Sequence, residues 1–444
     1  MAQVATELHF VTKNHHIVTF SNRQSMGVMR PTASRVSGEG ILRMDPVSRR
    51  SFSKRAAVFS AATAVLVALA ACSSSSSSTS SGASTSSNAA ATGSASSSGV
   101  AQANAAATKA LAMPTSITQT TPLASKAPSG KSIIFVSNGL AATERIATGV
   151  HEAADAIGWS YSEIHFDAAN PATLESALLT ALAKKPSAVA EAGSPQSTFG
   201  TSTIAAYKAA NVPIILGSVA PIQLGDPIYG TPAGAASEQV VGKDLADWFI
   251  ANSDGKGKAL LENYTSAPVL NVFRDAFIAE VKALCPDCST KVVAVTQADV
   301  DGGTLITKVV AAARTNPSYK YIFFDNGQFA DGILSALSSA GLSGLIIGGR
   351  SIDPYGKEAI AAGTEAVWTG QSYYLQGEAI VDVALRTMLS APGSSNNDVI
   401  PTQLITKANV SEMTGQFYNF PTSSLQQYEK LWAVPITACK LTCS

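Results

Sequence analysis

The cysteines are the residues of this chain best suited to covalent chemistry. Four of the five form two closely spaced pairs, Cys285 with Cys288 and Cys439 with Cys443. Such pairs can form disulfides, hold zinc as a four-thiolate site or exchange electrons as a CxxC motif. A redox CxxC normally lies between a strand and a helix, whereas Cys285 follows a helix-like run and precedes a strand. We therefore expect structural disulfides and no metal, and the sequence leaves the disulfide connectivity open.

The sequence contains few of the motifs that position side chains for catalysis. The chain lacks a Ser, His and Asp arrangement at an elbow sequence, and it lacks a Walker-type loop. His151 and His165 are the only histidines after residue 130, and neither has a Cys or another His nearby in sequence to share a metal. We expect a protein that is not an enzyme and that uses no cofactor. The 31 basic and 31 acidic residues balance, so no nucleic-acid partner is expected.

A segment typical of bacterial export precedes the body of the chain. Arg49 and Arg50 are followed by an apolar run over residues 56–71 and then by Cys72. The alternative, a membrane-spanning helix, needs roughly 20 apolar residues, which is more than this run offers. The Leu-Ala-Ala-Cys sequence that ends at Cys72 resembles the lipobox of bacterial lipoproteins. That resemblance implies that Cys72 is lipidated and that residues 1–71, a start called too early plus the signal peptide, are removed.

The twin arginines leave the export route open between the twin-arginine and the ordinary secretory pathway. Residues 1–43 have no place in such a signal, so Met44 is the expected initiator. Residues 72–129 are mostly Ser, Ala, Thr and Gly, which cannot bury enough apolar surface to order themselves. We therefore expect a disordered tether there, with the protein outside the cytoplasm and anchored to the cell membrane by its lipid.

From Ser132 onward the pattern changes to alternating strands and helices. Continuous apolar runs such as residues 133–136 and 321–324 are typical of strands buried on both faces, and helical stretches separate them. One series of such units ends near residue 216, and a second of similar order begins near residue 235. The predicted fold class is α/β, with two similar doubly wound parallel-sheet lobes joined by a hinge.

Three stretches carry a family resemblance. They are residues 321–349, residues 211–215, and Arg274 with Phe277. Together they resemble type I periplasmic binding proteins, in particular the ribose-type sugar-binding branch, over roughly residues 131–410. The resemblance implies two lobes with crossings near Gly230, Gln371 and Pro401. The implied N-terminal lobe is 130–230 with 372–401, and the C-terminal lobe with its extension is 231–371 with 402–444.

The resemblance also implies individual ligand-binding residues. Asn326 matches an asparagine that bonds a sugar hydroxyl, although Asn before Gly is also a common turn. Arg274 matches an arginine on ligand oxygens, and a surface arginine is the alternative. Gln371 matches a hinge glutamine that touches the ligand.

Departures from the family pattern argue against a plain aldose. The first loop, residues 137–145, contains no aromatic ring on which a sugar face could stack. Ser218 stands where the family has an acidic residue, and Arg350 or Ser351 stands where it has an aspartate. Losing both carboxylates removes the acceptors that hold neighbouring hydroxyls.

The expected cleft instead contains a mixture of charges and aromatic rings. Glu144, Glu191, Arg274 and Arg350 would suit a ligand with both an anionic and a cationic group, unless these charges lie on the solvated rim. The expected rings are Tyr264, Phe329, Tyr373 and Tyr374. The predicted ligand-binding residues are Asn138, Glu144, Ser218, Tyr264, Arg274, Asn326, Phe329, Arg350 and Gln371.

The leading functional prediction is an extracytoplasmic solute-binding lipoprotein that delivers a small polar ligand, sugar-like or other, to the permease of an ABC importer. The alternative is a ligand-sensing receptor for a membrane signalling partner. A monomer is expected in either case. The remaining segment, residues 412–444, is expected to be an extension that packs on a lobe.

Overall fold

The computed structural model describes residues 88–170 and 172–437. In chain order its helices and strands are α1 (Asn88–Ala110), β1 (Ser132–Ser137), α2 (Ala141–Ala156), β2 (Ser160–His165), α3 (Ala172–Ala183), β3 (Ala188–Ala192), α4 (Thr201–Ala210), β4 (Ile214–Gly217), β5 (Ile228–Tyr229), α5 (Ala235–Asn252), β6 (Lys258–Tyr264), α6 (Pro268–Leu284), β7 (Ser289–Val295), α7 (Gln297–Asp301), α8 (Leu305–Thr315), β8 (Tyr321–Phe324), α9 (Ile333–Ser339), β9 (Ile346–Gly349), α10 (Pro354–Ala362), β10 (Val367–Gln371), α11 (Tyr373–Leu389), β11 (Thr402–Thr406) and α12 (Ser424–Leu431).

These strands form two sheets. The first has the order β2-β1-β3-β4-β5 and is parallel throughout. The second has the order β11-β10-β9-β8-β6-β7 and is parallel except for β11, which pairs antiparallel with β10. The central strands are buried because helices cover both of their faces, as their unbroken apolar runs require. The predicted fold class is therefore confirmed.

Helix α11 follows the second sheet but packs against α2, beside the first sheet. Two glycines allow the two helices to lie this close. A Cβ on Gly149 would come within 2.1 Å of the Tyr374 carbonyl oxygen, and one on Gly377 within 2.2 Å of the Ile146 carbonyl oxygen. The close crossing fixes the start of α11 between the two lobes.

The segment before the first sheet differs from the prediction of a tether over residues 72–129. Helix α1 packs against α5 and α6, and Ala103 and Ala107 are buried there. Gly99 lies so close to α6 that a Cβ would come within 2.0 Å of the Leu284 carbonyl oxygen. Alanine favours helix, and small side chains allow a close approach to an apolar surface supplied by other helices. The tether prediction is wrong for residues 88–129, and residues 72–87, including Cys72, lie outside the described part.

Residues 111–128, which we call the strap, contact both lobes. At its start the Leu111 carbonyl accepts a hydrogen bond from Gln403 Nε2 on β11 at 2.9 Å. Further along, Gln119 Nε2 donates to Asp382 Oδ2 on α11 at 3.0 Å, and the Leu123 amide donates to the Leu431 carbonyl of α12 at 2.8 Å. The strap therefore joins the second lobe, through α1, to the first.

Helix α12 also belongs with the first lobe. Its Leu425 and Tyr428, with Trp432 just after it, are buried in the apolar cluster that contains α2 and α11. Trp432 Nε1 donates to Asp382 Oδ1 at 2.7 Å, and Asp382 in turn pairs with Arg386 at 2.6 Å. The assignment of residues 402–444 to the second lobe is therefore wrong for α12, because a buried polar network holds this helix on α11.

The first cysteine pair is a disulfide. Cys285 and Cys288 are bonded at the end of α6, with their Cα atoms 5.3 Å apart. Cys439 and Cys443 lie outside the described residues. In the described part of the chain, no helix has the length and apolar character needed to cross a membrane.

Candidate functional site

A cavity of about 340 Å³ lies where the carboxyl ends of strands from both sheets face each other. The first sheet contributes residues at or after the ends of β1, β2, β3 and β4, and the second contributes residues at or after the ends of β6, β7, β8 and β9. Tyr373, the first residue of α11, completes the wall. Loops at the carboxyl ends of parallel strands commonly form ligand sites, and a cavity of this size suits a small molecule.

Five of the predicted ligand-binding residues line this cavity, namely Asn138, Ser218, Tyr264, Asn326 and Arg350. The other four, Glu144, Arg274, Phe329 and Gln371, do not line it. Phe329 packs behind Tyr264, with ring centroids 5.2 Å apart. Gln371 is 3% exposed and donates from Nε2 to Ser237 Oγ at 2.8 Å. These two residues support the wall from behind.

The two cavity asparagines are oriented by their own loops. Asn138 Oδ1 accepts from the Leu140 amide at 3.0 Å, and Asn326 Oδ1 accepts from the Gln328 amide at 3.3 Å. Within the described residues, no acceptor takes a hydrogen bond from either Nδ2 group. The turn role and the ligand role proposed for Asn326 are thus compatible, since the turn uses the oxygen and leaves the amide donors free.

Arg350 is the only Lys, Arg, Asp or Glu that lines the cavity among the described residues, and its charge is already matched. It is 3% exposed, and its Nε donates to Oε2 of the fully buried Glu238 at 2.6 Å. Its two terminal nitrogens donate to Glu238 Oε1, Ser351 Oγ, the Asp325 carbonyl and Gln371 Oε1. Burial lowers the pKa of Arg350, but Glu238, Tyr373 and Asp325 together raise the pKa above its ordinary value. All five guanidinium donors are therefore used within the protein.

The other predicted charges also have protein partners. Glu144 Oε1 accepts from Ser137 Oγ at 2.6 Å and lies 3.8 Å from His165 Nδ1. Arg274 donates to Asn263 Oδ1 at 2.6 Å and to Asp275 Oδ1 at 2.8 Å. Burial raises the pKa of Glu191 to about 8, so this carboxyl is mostly uncharged at neutral pH. The expected lining of mixed charge is therefore wrong.

Tyr373 presents an unsatisfied hydroxyl at the cavity. The residue is 6% exposed, and its hydroxyl is buried without a hydrogen-bond partner among the described residues. The Arg145 guanidinium lies 5.0 Å from the centroid of its ring. Deeper in the wall, Gln376 Nε2 donates to Ser218 Oγ at 2.6 Å, while Gln376 Oε1 is also buried without a partner. Most buried polar atoms in folded proteins have a hydrogen-bond partner, so these two oxygens are exceptions at and behind the cavity wall.

Two buried carboxyl groups lie behind the second-lobe wall. The Asp325 amide donates to Glu262 Oε2 at 3.1 Å, and Asp325 Oδ2 accepts from the Tyr264 amide at 2.6 Å. Burial raises the pKa of Asp325 to about 6. Burial, with the charge of Asp325, raises the pKa of Glu262 as well. The pair braces the strand ends that carry Tyr264 and Asn326.

The sequence did not indicate the apolar part of the wall. This part consists of large side chains from both lobes: Leu140, Ile146, Phe166, Leu174, Val269 and Leu270. Leu140 belongs to the first loop, where the absence of an aromatic ring was the only signal. The others belong to helix or strand patterns that also predict ordinary core, so periodicity cannot distinguish a cavity wall from a packed interior.

The periplasmic binding protein domain family matches residues 133–390. The chain belongs to this family. Proteins of the family bind solutes outside the cytoplasm, and the resemblance to type I periplasmic binding proteins is confirmed. No curated protein matches the chain in sequence.

Solved structures share this periplasmic binding protein fold at low identity. An ABC transporter solute-binding protein from Agrobacterium vitis with bound allitol has 21% identity and a TM-score of 0.53, and the match covers 64% of this chain and 98% of that one. One from Mycobacterium smegmatis with bound glycerol has 16% identity and a TM-score of 0.55, covering 65% and 99%. A fructose-binding periplasmic domain of a hybrid two-component system has 14% identity and a TM-score of 0.53, covering 68% and 97%. About a third of this chain therefore lies outside what these relatives share.

Proposed function

We propose that this protein is an extracytoplasmic solute-binding lipoprotein that captures a small molecule in the cavity and delivers it to the permease of an ABC importer. The observation that carries the proposal is the cavity itself, which is lined from both lobes at the carboxyl ends of their strands. A ligand held there contacts both lobes at once. Closure of the lobes around it would distinguish the loaded protein from the empty one, which is the signal an importer needs.

The connections between the lobes fit such a closure. The chain connects the two sheets directly where it passes from β5 to α5, from β10 to α11 and from α11 to β11. Gln371 ends β10 at one of these passages and bonds Ser237 of α5. Cys72 is proposed as the lipidated anchor.

A second candidate is a receptor that reports ligand occupancy to a membrane signalling protein. The fold similarity to the fructose-binding periplasmic domain of a two-component system supports this alternative. Both candidates require ligand binding and differ only in the membrane partner.

Ligand binding is tested on a soluble form that begins at Ser73, because the strap is part of the fold. Thermal unfolding is followed with sugars, polyols, nucleosides and amino acids. A ligand present at 100 times its Kd should add about 2.7 kcal/mol to the free energy of unfolding. Small-angle scattering should then show a smaller radius of gyration with that ligand, and no response to any class would contradict the proposal.

The membrane role is tested in the native host. Cys72→Ser should release the protein from the membrane fraction and reduce uptake of the radiolabelled ligand. Uptake that is unchanged in a strain lacking the protein, with loss of a ligand-dependent transcriptional response, would favour the receptor instead.

A further inference from the structure

The cavity offers no charge to a ligand. Among the described residues its only Lys, Arg, Asp or Glu is Arg350, whose five donors all bond protein acceptors. The N-terminus of α2, which reaches the cavity, already has Glu144 in its first turn. An ionised group taken out of water needs an opposite charge or a full set of hydrogen bonds. Neither is free among the described side chains that line the cavity, and the nearby Arg145 guanidinium lies over the Tyr373 and Phe417 rings outside that lining, so a charged ligand is disfavoured.

The apolar wall makes a second demand. Leu140, Ile146 and Leu174 come from the first lobe, and Val269 and Leu270 come from the first turn of α6 in the second. A polyol whose every carbon carries a hydroxyl would leave several hydroxyls facing these side chains without partners. Each such buried hydroxyl is unfavourable, whereas an alkyl group there removes apolar surface from water.

The polar groups still available are uncharged. They include the Tyr373 hydroxyl, the Nδ2 groups of Asn138 and Asn326, the hydroxyl of Thr143, and the hydroxyl hydrogen of Ser218, whose oxygen already accepts from Gln376. They can hold a small number of ligand hydroxyl or ether oxygens.

We propose that the ligand is an uncharged polyol or sugar that carries an alkyl or alkylthio substituent, with its oxygens on Tyr373, Asn138 and Asn326 and its substituent against the apolar wall. This inference rests on the proposed solute-binding function and narrows its ligand class. It also assigns Tyr373 as a specificity-determining residue.

The test compares matched probes by isothermal titration with the form that begins at Ser73. The substituted neutral probe is 5-methylthioribose, the unsubstituted neutral probe is ribose, and the charged probe is ribose 5-phosphate. We expect 5-methylthioribose to bind at least about tenfold more tightly than ribose, which corresponds to about 1.4 kcal/mol, and ribose 5-phosphate to bind more weakly than either.

Two pairs of variants test the two halves of the cavity. Tyr373→Phe removes only the hydroxyl and should weaken 5-methylthioribose binding about tenfold. Tyr374→Phe, at the next position but outside the cavity lining, should leave the affinity within about twofold. Leu140→Gln should reduce the ratio of the two neutral affinities, and Leu179→Gln on the exposed face of α3 should not.

The outcomes separate the two proposals. If ribose binds as tightly as 5-methylthioribose, or ribose 5-phosphate binds best, the ligand class is refuted while solute binding stands. Unchanged affinity in Tyr373→Phe refutes the role assigned to its hydroxyl. If none of these probes binds and none of the wider set of sugars, polyols, nucleosides and amino acids binds, both the class and the proposed function fail.

Discussion

Breaking the Arg350–Glu238 pair should strongly destabilise the fold. Glu238 is fully buried and Arg350 is 3% exposed, so neither charge can turn to water when its partner is removed. Glu238→Gln keeps the shape but removes the negative charge that receives two of the five guanidinium bonds. Hydrogen bonds to charged groups contribute about 1.5–3 kcal/mol each, and breaking a buried pair from one side costs about 3–5 kcal/mol. We therefore expect Glu238→Gln to lower the free energy of unfolding by about 3–5 kcal/mol.

The measurement is a double-mutant cycle with Arg350→Met. The double variant leaves no buried charge behind, so its loss of stability should be smaller than the sum of the two single losses by at least about 2 kcal/mol. Unfolding in urea, followed by intrinsic fluorescence and extrapolated to water, gives each value.

A surface pair provides the matched control. Lys308 and Asp299 are 2.9 Å apart, but the lysine side chain is 44% exposed. The cycle through Lys308→Met and Asp299→Asn should give a coupling below about 1 kcal/mol. If the buried pair couples no more strongly than this surface pair, Arg350 is not held as described, and the argument for an uncharged ligand loses its basis.

Three further predictions concern stability. The folded protein keeps a proton on Glu191 up to about pH 8, whereas the unfolded chain releases it near the ordinary value of 4.5. The free energy of unfolding should therefore fall as the pH rises between these two values. Urea unfolding at pH 5 and pH 8 should show a smaller fall for Glu191→Gln, while Glu358→Gln on the exposed face of α10 should follow the wild type. A form that begins at Ser129 lacks α1 and the strap. Its Tm should be at least about 5 °C below that of the form beginning at Ser73. Equal Tm values would show that the strap is not part of the stable fold. Gly377→Ala places a methyl group 2.2 Å from the Ile146 carbonyl oxygen and should lower the free energy of unfolding, measured in urea, by about 1–3 kcal/mol. An unchanged free energy of unfolding would mean that α2 and α11 can move apart without penalty.

The sheets could be predicted from sequence because their signal is local. Runs such as 133–136 and 321–324 are apolar without a break, which is typical of a strand whose two faces are both buried. The helix at 88–110 could not be predicted in the same way. Its residues are mostly alanine, serine and other small types without a large apolar side chain, and the apolar surface that stabilises it belongs to α5 and α6, more than a hundred residues later in the chain.

The position of the site could be predicted from the sequence better than the chemical character of its lining. Strand-end residues such as Asn138 and Asn326 line the cavity as their places in the pattern indicated. The charge of Arg350 was visible, but its neutralisation by Glu238, 112 positions away, depends on tertiary contact. Arg274 differs, because its acidic partner Asp275 is the next residue, and only the bond to Asn263 joins it to a different element. A sequence shows which charges exist, whereas the fold decides which of them remain available.

The strap also sets a geometric limit on the protein. Its Leu111 carbonyl is held by the second lobe, and its Ile117 amide is held by Gln427 of α12 on the first. Only about six residues separate these two points, and a fully extended chain covers about 3.4 Å per residue. While both bonds persist, these two points can therefore lie no more than about 20 Å apart, whatever ligand is released. The maximum aperture of the protein is thus determined by the length of a peptide outside the binding site.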